Sequence, residues 1–64
     1  MAVTGIDLKV ERVRARVRIT ALAERMGISR ATLWVIEKSA EVSKDQAMRY
    51  LAALDELRDV ETVA

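Results

Sequence analysis

The chain has 64 residues, the length of a single domain with a small core. It contains no cysteine and no histidine, which excludes disulfides, thiolate chemistry, Cys/His zinc sites and histidine acid–base catalysis. The net charge of +1 hides a split: residues 1–38 carry eight basic against four acidic side chains, and residues 39–64 carry three against six. A basic first part suits a polyanion, and the acidic remainder leaves a different surface for something else, such as another subunit.

Hydrophobic residues make up 52% of the chain but aromatic ones only 3%, with no proline and two glycines. The core must therefore come from Leu, Ile, Val, Met and Ala, and the composition favours an all-α fold. The start, MAVTGIDLKV, has no long apolar run and no cleavage-type signal, and no stretch is long enough to span a bilayer. A cytoplasmic protein with no membrane partner is the expectation. The whole of residues 1–64 reads as one domain, with an ordered core over about 5–57.

Thr4 and Asp7 form a capping box of the Asp-containing kind that opens a first helix. Ile6, Val10, Val13 and Val17 recur at helical spacing and are expected to face the core. From Val13 to Ile19 the chain reads V-R-A-R-V-R-I, an alternation that also describes a strand. Helix is expected through about Arg16, because the spacing of Ile6, Val10 and Val13 continues from outside the alternating stretch.

A second helix is expected from about Thr20 to Met26. Leu22, Ala23 and Met26 recur at helical spacing, and the small Ala23 allows another helix to cross closely. The pattern stops at Gly27, which supplies the left-handed conformation that a helix end needs before a sharp turn. Ser29 can cap a third helix, Arg30 to about Lys38, in which Leu33 and Ile36 point inward with Thr32 and Ser29 near them. Ala31, Trp34, Val35 and Lys38 point outward, with Arg30 at the edge. After the connection Ser39–Val42, Ser43 and Gln46 make a capping box for a fourth helix with an apolar stripe of Ala47, Tyr50, Leu51, Leu54 and Leu57. The segment from Arg58 to Ala64 is polar enough to fray. Two short helices meeting at so tight a turn form a helix-turn-helix, whose second helix can lie in the major groove of DNA.

The run LAERMGISRATLWVIEK resembles the helix-turn-helix of the Xre/Cro family of bacterial and phage transcriptional regulators. The LAE, G-I-S-R, T-L and closing I-E-K sit in family register, and with the flanking helices the resemblance spans roughly Ile6 to Leu54. It implies a small lambda-repressor-like helical bundle that binds double-stranded DNA as a homodimer and represses transcription from a palindromic operator. In the family, the positions of Ser29, Arg30, Ala31, Trp34 and Val35 face the DNA. The first helix lies near the backbone, which selects Arg16 and Arg18 as phosphate contacts; Arg12 and Arg14 are expected to be solvated or paired with Glu11 or the acidic half. The family's acid at the position of Glu37 commonly pairs with an arginine of helix one, and Arg14 is the expected partner. Two departures stand out. The link into helix two is shorter than in the family, and Ile19 stands where a glutamine usually opens that helix, which puts the glutamine's DNA contact in doubt.

The residues themselves leave some choices open. Arg30 can read guanine O6 and N7 with its planar guanidinium, or it can contact phosphate, which positions without specifying. Ala31 and Val35 can pack on a thymine methyl. Trp34 has three readings: a DNA-backbone contact, a protein interface, where Trp is enriched, or a core residue of a rotated helix. Pairing is expected mainly through the region after Ser39, where Met48, Ala52 and Val60 extend the apolar surface. The rival function is an interaction module, in its sharpest form an antitoxin that also binds a toxin protein; IEK and MRYLAALDEL resemble Xre-type antitoxins. No catalytic constellation, metal site or cofactor motif is apparent, so no enzyme and no cofactor are expected.

Overall fold

The structure is a computed structural model that describes residues 3–62, with side chains described through Arg58. It contains four α-helices: α1 (Gly5–Arg14), α2 (Ile19–Met26), α3 (Arg30–Lys38) and α4 (Lys44–Thr62). The fold is all-α, as the composition predicts. Among the described residues the only β pairing is an isolated antiparallel bridge between Val3 and Val42, and no helix is long and apolar enough to cross a membrane. The helix α2 packs on α3 and α4, and α1 packs on the same two. Leu8, Val17, Leu22, Leu33, Ile36, Tyr50 and Leu54 fill the space between them. Each fully buried Leu contributes about 1.5–3 kcal/mol relative to exposure.

The expected caps are present at α1 and α3. The Asp7 amide donates to Thr4 Oγ1 at 3.1 Å, and the Thr4 amide donates back to Asp7 Oδ2 at 3.4 Å. Ser29 Oγ accepts from the Thr32 amide at 3.1 Å. At α4, the Ser43 hydroxyl accepts from the Gln46 amide at 3.2 Å. The helix α2 starts at Ile19, one residue before the expected Thr20, and its N-cap Arg18 makes no side-chain capping bond. The helix α4 runs on to Thr62, past Leu57. The side chain of Val60 and residues Val63 and Ala64 lie outside the described residues.

Four expectations are corrected. First, Ile6, Val10 and Val13 do not face the core; they are 66%, 45% and 58% exposed. The buried side of α1 is Gly5 and Leu8, with Arg12 half-buried beside them. Leu8, Arg12 and Ala15 repeat at the same spacing as the valine row, so periodicity alone does not choose between the two faces. What chooses is close contact with α3: a Cβ on Gly5 would lie 2.3 Å from Ile36 O and 2.5 Å from Glu37 O. Second, α1 stops at Arg14, short of Arg16, and the middle of the alternating stretch, Ala15 to Arg18, is neither helix nor strand. Arg16 takes a left-handed φ of 59°, its amide donates to Val13 O at 3.0 Å, and the Val17 amide reaches back to Arg12 O at 3.2 Å. That pair of bonds is a Schellman ending. Third, Leu51 faces solvent and Ala53 is buried in its stead, because the core side of α4 centres on Ala47, Tyr50 and Leu54. Fourth, Glu37 pairs with Arg12, not Arg14. Arg14 is exposed and lies 3.8 Å from Glu11.

Glu37 is only 3% exposed. Arg12 Nε and Nη2 donate to its two carboxylate oxygens at 2.7 and 3.3 Å. The Tyr50 hydroxyl donates to Oε2 at 2.5 Å. Arg12 Nη1 also donates to Val17 O at 3.0 Å, so one guanidinium ties the α1 ending to α3. The hydrogen bond to Glu37 raises the Arg12 pKa, against the lowering effect of burial. Burial first, then the Glu37 hydrogen bond, pushes the Tyr50 hydroxyl well above the ordinary tyrosine range. No buried side-chain polar atom among the described residues lacks a partner.

The two glycines should respond differently to alanine. Gly27 has a φ of 73° and nothing within 4 Å of an added Cβ, so Gly27→Ala should cost about 1 kcal/mol from backbone strain alone. Gly5→Ala drives a methyl into backbone atoms and should cost about 3 kcal/mol or more. Thermal melts of both variants measure the order; equal losses would refute the close α1–α3 approach.

Tyr50 is the only tyrosine, and its raised native value has a defined sign. The unfolded chain releases the phenol proton above about pH 10, whereas the native protein holds it. Stability from Tyr50 is therefore whole below that pH and is lost as pH rises toward the native value. Between pH 9 and pH 11 the wild type should lose about 1.4 kcal/mol more than Tyr50→Phe. Denaturant unfolding at the two pH values decides it.

Candidate functional site

The helix α3 is anchored by Leu33, Ile36 and Glu37, all buried. Its remaining side is open. Arg30, Ala31, Thr32, Trp34, Val35 and Lys38 are exposed, as is the capping Ser29. The three-residue turn before it follows from local chemistry. Gly27 ends α2 with a second Schellman arrangement, its amide donating to Glu24 O at 3.1 Å and the Ile28 amide to Ala23 O at 3.0 Å. Ser29 then starts α3 in an extended conformation. Ala23 is buried where α2 meets its neighbours.

Two shallow clefts flank Trp34. One is lined by Ile19, Ser29, Arg30 and Ala31 together with Trp34, which brings the start of α2 beside the first turns of α3. The other is lined by Ile6, Lys9, Glu37 and Lys38 together with Trp34, which joins α1 to the end of α3. Trp34 is 52% exposed, so it is not a core residue. Its ring lies under the Lys38 ammonium, with Nζ 4.2 Å from the centroid, a cation–π contact.

All eight candidate residues from the sequence are therefore at the surface. Ser29, Arg30, Ala31 and Trp34 share one cleft, and Lys38 joins Trp34 in the other; Val35 is exposed but lines neither. Arg18, exposed, directly precedes Ile19 of the first cleft. Arg16 sits two residues earlier, in the left-handed ending of α1. Thr32, expected near the inward face, is exposed, and its hydroxyl lies 2.8 Å from Ser29 Oγ. Lys9 was not singled out in the sequence. It lines the second cleft with Trp34 and Lys38 because α1 packs on α3, and no local pattern announces that packing.

The charges divide cleanly. Arg12, Arg14, Arg25 and Arg49 each form an ion pair within the chain. Among the described residues Lys9, Arg16, Arg18, Arg30, Lys38 and, at the start of α4, Lys44 form none. No group of carboxylates among the described residues is placed to hold a metal ion. Comparison with protein-family models, curated proteins and solved structures gives no match.

Arg16 carries strain that glycine would relieve. A non-glycine residue in the left-handed region costs on the order of 1–3 kcal/mol, partly offset by glycine's greater unfolded-state entropy. Arg16→Gly should therefore raise stability, by about 0.5–1 kcal/mol, while removing one surface charge. A chemical-denaturation midpoint that falls would show that the Arg16 side chain contributes more to the fold than its backbone costs.

Proposed function

We propose that this chain is a sequence-specific DNA-binding regulator of transcription. It docks α3 in the major groove of double-stranded DNA and acts as a homodimer that represses from a palindromic operator. The observation that carries this reading is the open side of α3, where exposed Arg30 and Lys38 form no ion pair and Lys9 of α1 shares a cleft with Trp34 and Lys38, while the opposite side is locked in the core; Arg16, Arg18 and Lys44 are likewise exposed without an ion pair. Cations left unpaired beside an exposed helix suit a polyanion, because phosphate contacts release condensed counterions. The resemblance of residues 22–38 to the Xre/Cro helix-turn-helix supports the same reading from the sequence.

The roles divide by position. Arg30, in the first turn of α3, reads a base edge or a nearby phosphate. Ala31 and Val35 present methyl groups to thymine. Trp34 lies along the sugar–phosphate backbone with Lys38 held over its ring. Arg18 and Arg16 grip phosphate at the start of α2 and before it. One short helix reads a short half-site, so two copies on a two-fold operator supply the affinity a single copy lacks.

The test is binding to duplexes selected from random DNA, measured across a salt series. Log affinity should fall with log salt at a slope of about −0.9 per phosphate contact, and the selected sites should be inverted repeats. Arg30→Ala should cost about 1–3 kcal/mol on the selected site and little on random duplex. Arg18→Ala should weaken both equally and reduce the slope by about one contact. Arg18 makes no capping bond, so this variant leaves the fold intact. Absence of binding to any duplex at low salt would end the proposal.

A further inference from the structure

We propose that the outward face of α1 is a two-fold self-docking surface, on which Ile6, Val10 and Val13 of one copy meet the same three residues of a second copy in antiparallel alignment. The starting observation is the exposure of these residues on the side of α1 opposite Leu8 and Gly5. At 1.5 Å per residue the row from Ile6 to Val13 spans about 10 Å along one side of the helix. All three residues are β-branched, so little side-chain freedom is lost when they are pinned.

Charge on one flank of the row favours another copy as the occupant, set against the two exposed Lys9 side chains that the same axis brings near each other on the other flank. Asp7 and Arg14 are both exposed. Seven residues apart, they stand two turns from each other on the same flank of the row, almost symmetric about Val10. A two-fold axis near Val10 brings Asp7 of each copy opposite Arg14 of the other, giving two cross-pairs. The internal contact of Arg14 with Glu11 is 3.8 Å long and solvent-exposed, so it competes weakly. The other exposed apolar patch, Met48 with Leu51 and Ala52 on α4, lacks this continuity. Seven residues beyond Met48 the row meets Asp55, which is exposed, where the α1 row has Val13.

The α1 face is smaller than the roughly 800 Å² per partner of a standard interface, so pairing is weak and reversible in free solution. The inference concerns the pairing that the proposed regulator would use, but it stands on the free protein, and no DNA enters the test. Its failure therefore leaves the DNA reading intact.

The chain has no cysteine, so one introduced thiol reports one position. Val10→Cys should form a disulfide-linked dimer at least tenfold faster than Met48→Cys under oxidised glutathione. Sedimentation from about 10 µM to 1 mM, the range suited to a small interface, should show wild type entering a dimer. Val10→Glu should stay monomeric with an unchanged melting temperature at low concentration. A wild type monomeric throughout, a dimer that survives Val10→Glu, or crosslinking through Met48→Cys as fast as through Val10→Cys would each overturn the proposal.

Discussion

Glu37 takes a carboxylate out of water in a domain too small to absorb an uncompensated charge. The desolvation cost of such a group is several kcal/mol, and it is offset here by three hydrogen bonds from two other helices. The two guanidinium bonds from Arg12 come from α1 and the hydroxyl bond from Tyr50 comes from α4, so one side chain on α3 ties it to both of those helices. Burial of Leu8, Leu22, Leu33 and Leu54 is favourable but non-directional. The carboxylate adds direction. A rotation of α3 by one residue would leave a buried charge without partners, which is a far larger penalty than a shifted leucine contact.

The same arrangement extends into the chain's turns. Arg12 also donates to Val17 O, at the point where α1 has ended and the link to α2 begins. Val17 is buried although it lies outside any helix, because the Schellman ending turns the chain back on itself and delivers that side chain to the core. Gly5 completes the constraint from the other end. Its amide donates to Ser39 O at 2.8 Å, and its missing side chain lets α1 approach the end of α3. Next to it, the bridge in which the Val42 amide donates to Val3 O at 2.7 Å closes the chain around the same spot.

Features set by neighbours in sequence were legible without coordinates. The Thr4–Asp7 box, the Ser29 cap, the Gly27 ending and the bounds of α3 all depend on residues within five positions of each other. The inward placement of Leu33 and Ile36 was legible for the same reason, and with it the exposed set on α3 apart from Thr32. Features set by contact across the chain were not. Two rows on α1 have identical spacing, and the more hydrophobic row is the exposed one, so a rule that places apolar residues inside selects the wrong side. The choice between Arg12 and Arg14 for Glu37 follows from that error, since the correct arginine lies on the Leu8 side. Arg16 at positive φ was hidden because glycine, the usual sign of a left-handed ending, is absent there. Lys9 came to the site through the α1–α3 contact alone.

The inverted pattern of α1 follows from its position over the Glu37 site. Its inward side must accommodate a close backbone approach at Gly5 and a guanidinium at Arg12, which leaves Leu8 as its main buried apolar side chain. A helix with so little apolar area toward the core is weakly held by hydrophobic burial, and its attachment relies instead on the capping box, the Schellman ending and the Arg12 bonds. Leaving Ile6, Val10 and Val13 in water brings no compensating gain within one copy, since apolar side chains at the surface contribute nothing to burial and favour association. Polar residues there would be at least as compatible with an isolated monomer. The packing of the single fold accounts for the apolar side chains of α2, but not for the exposed Ile6, Val10 and Val13 of α1 or the exposed Trp34 and Val35 of α3.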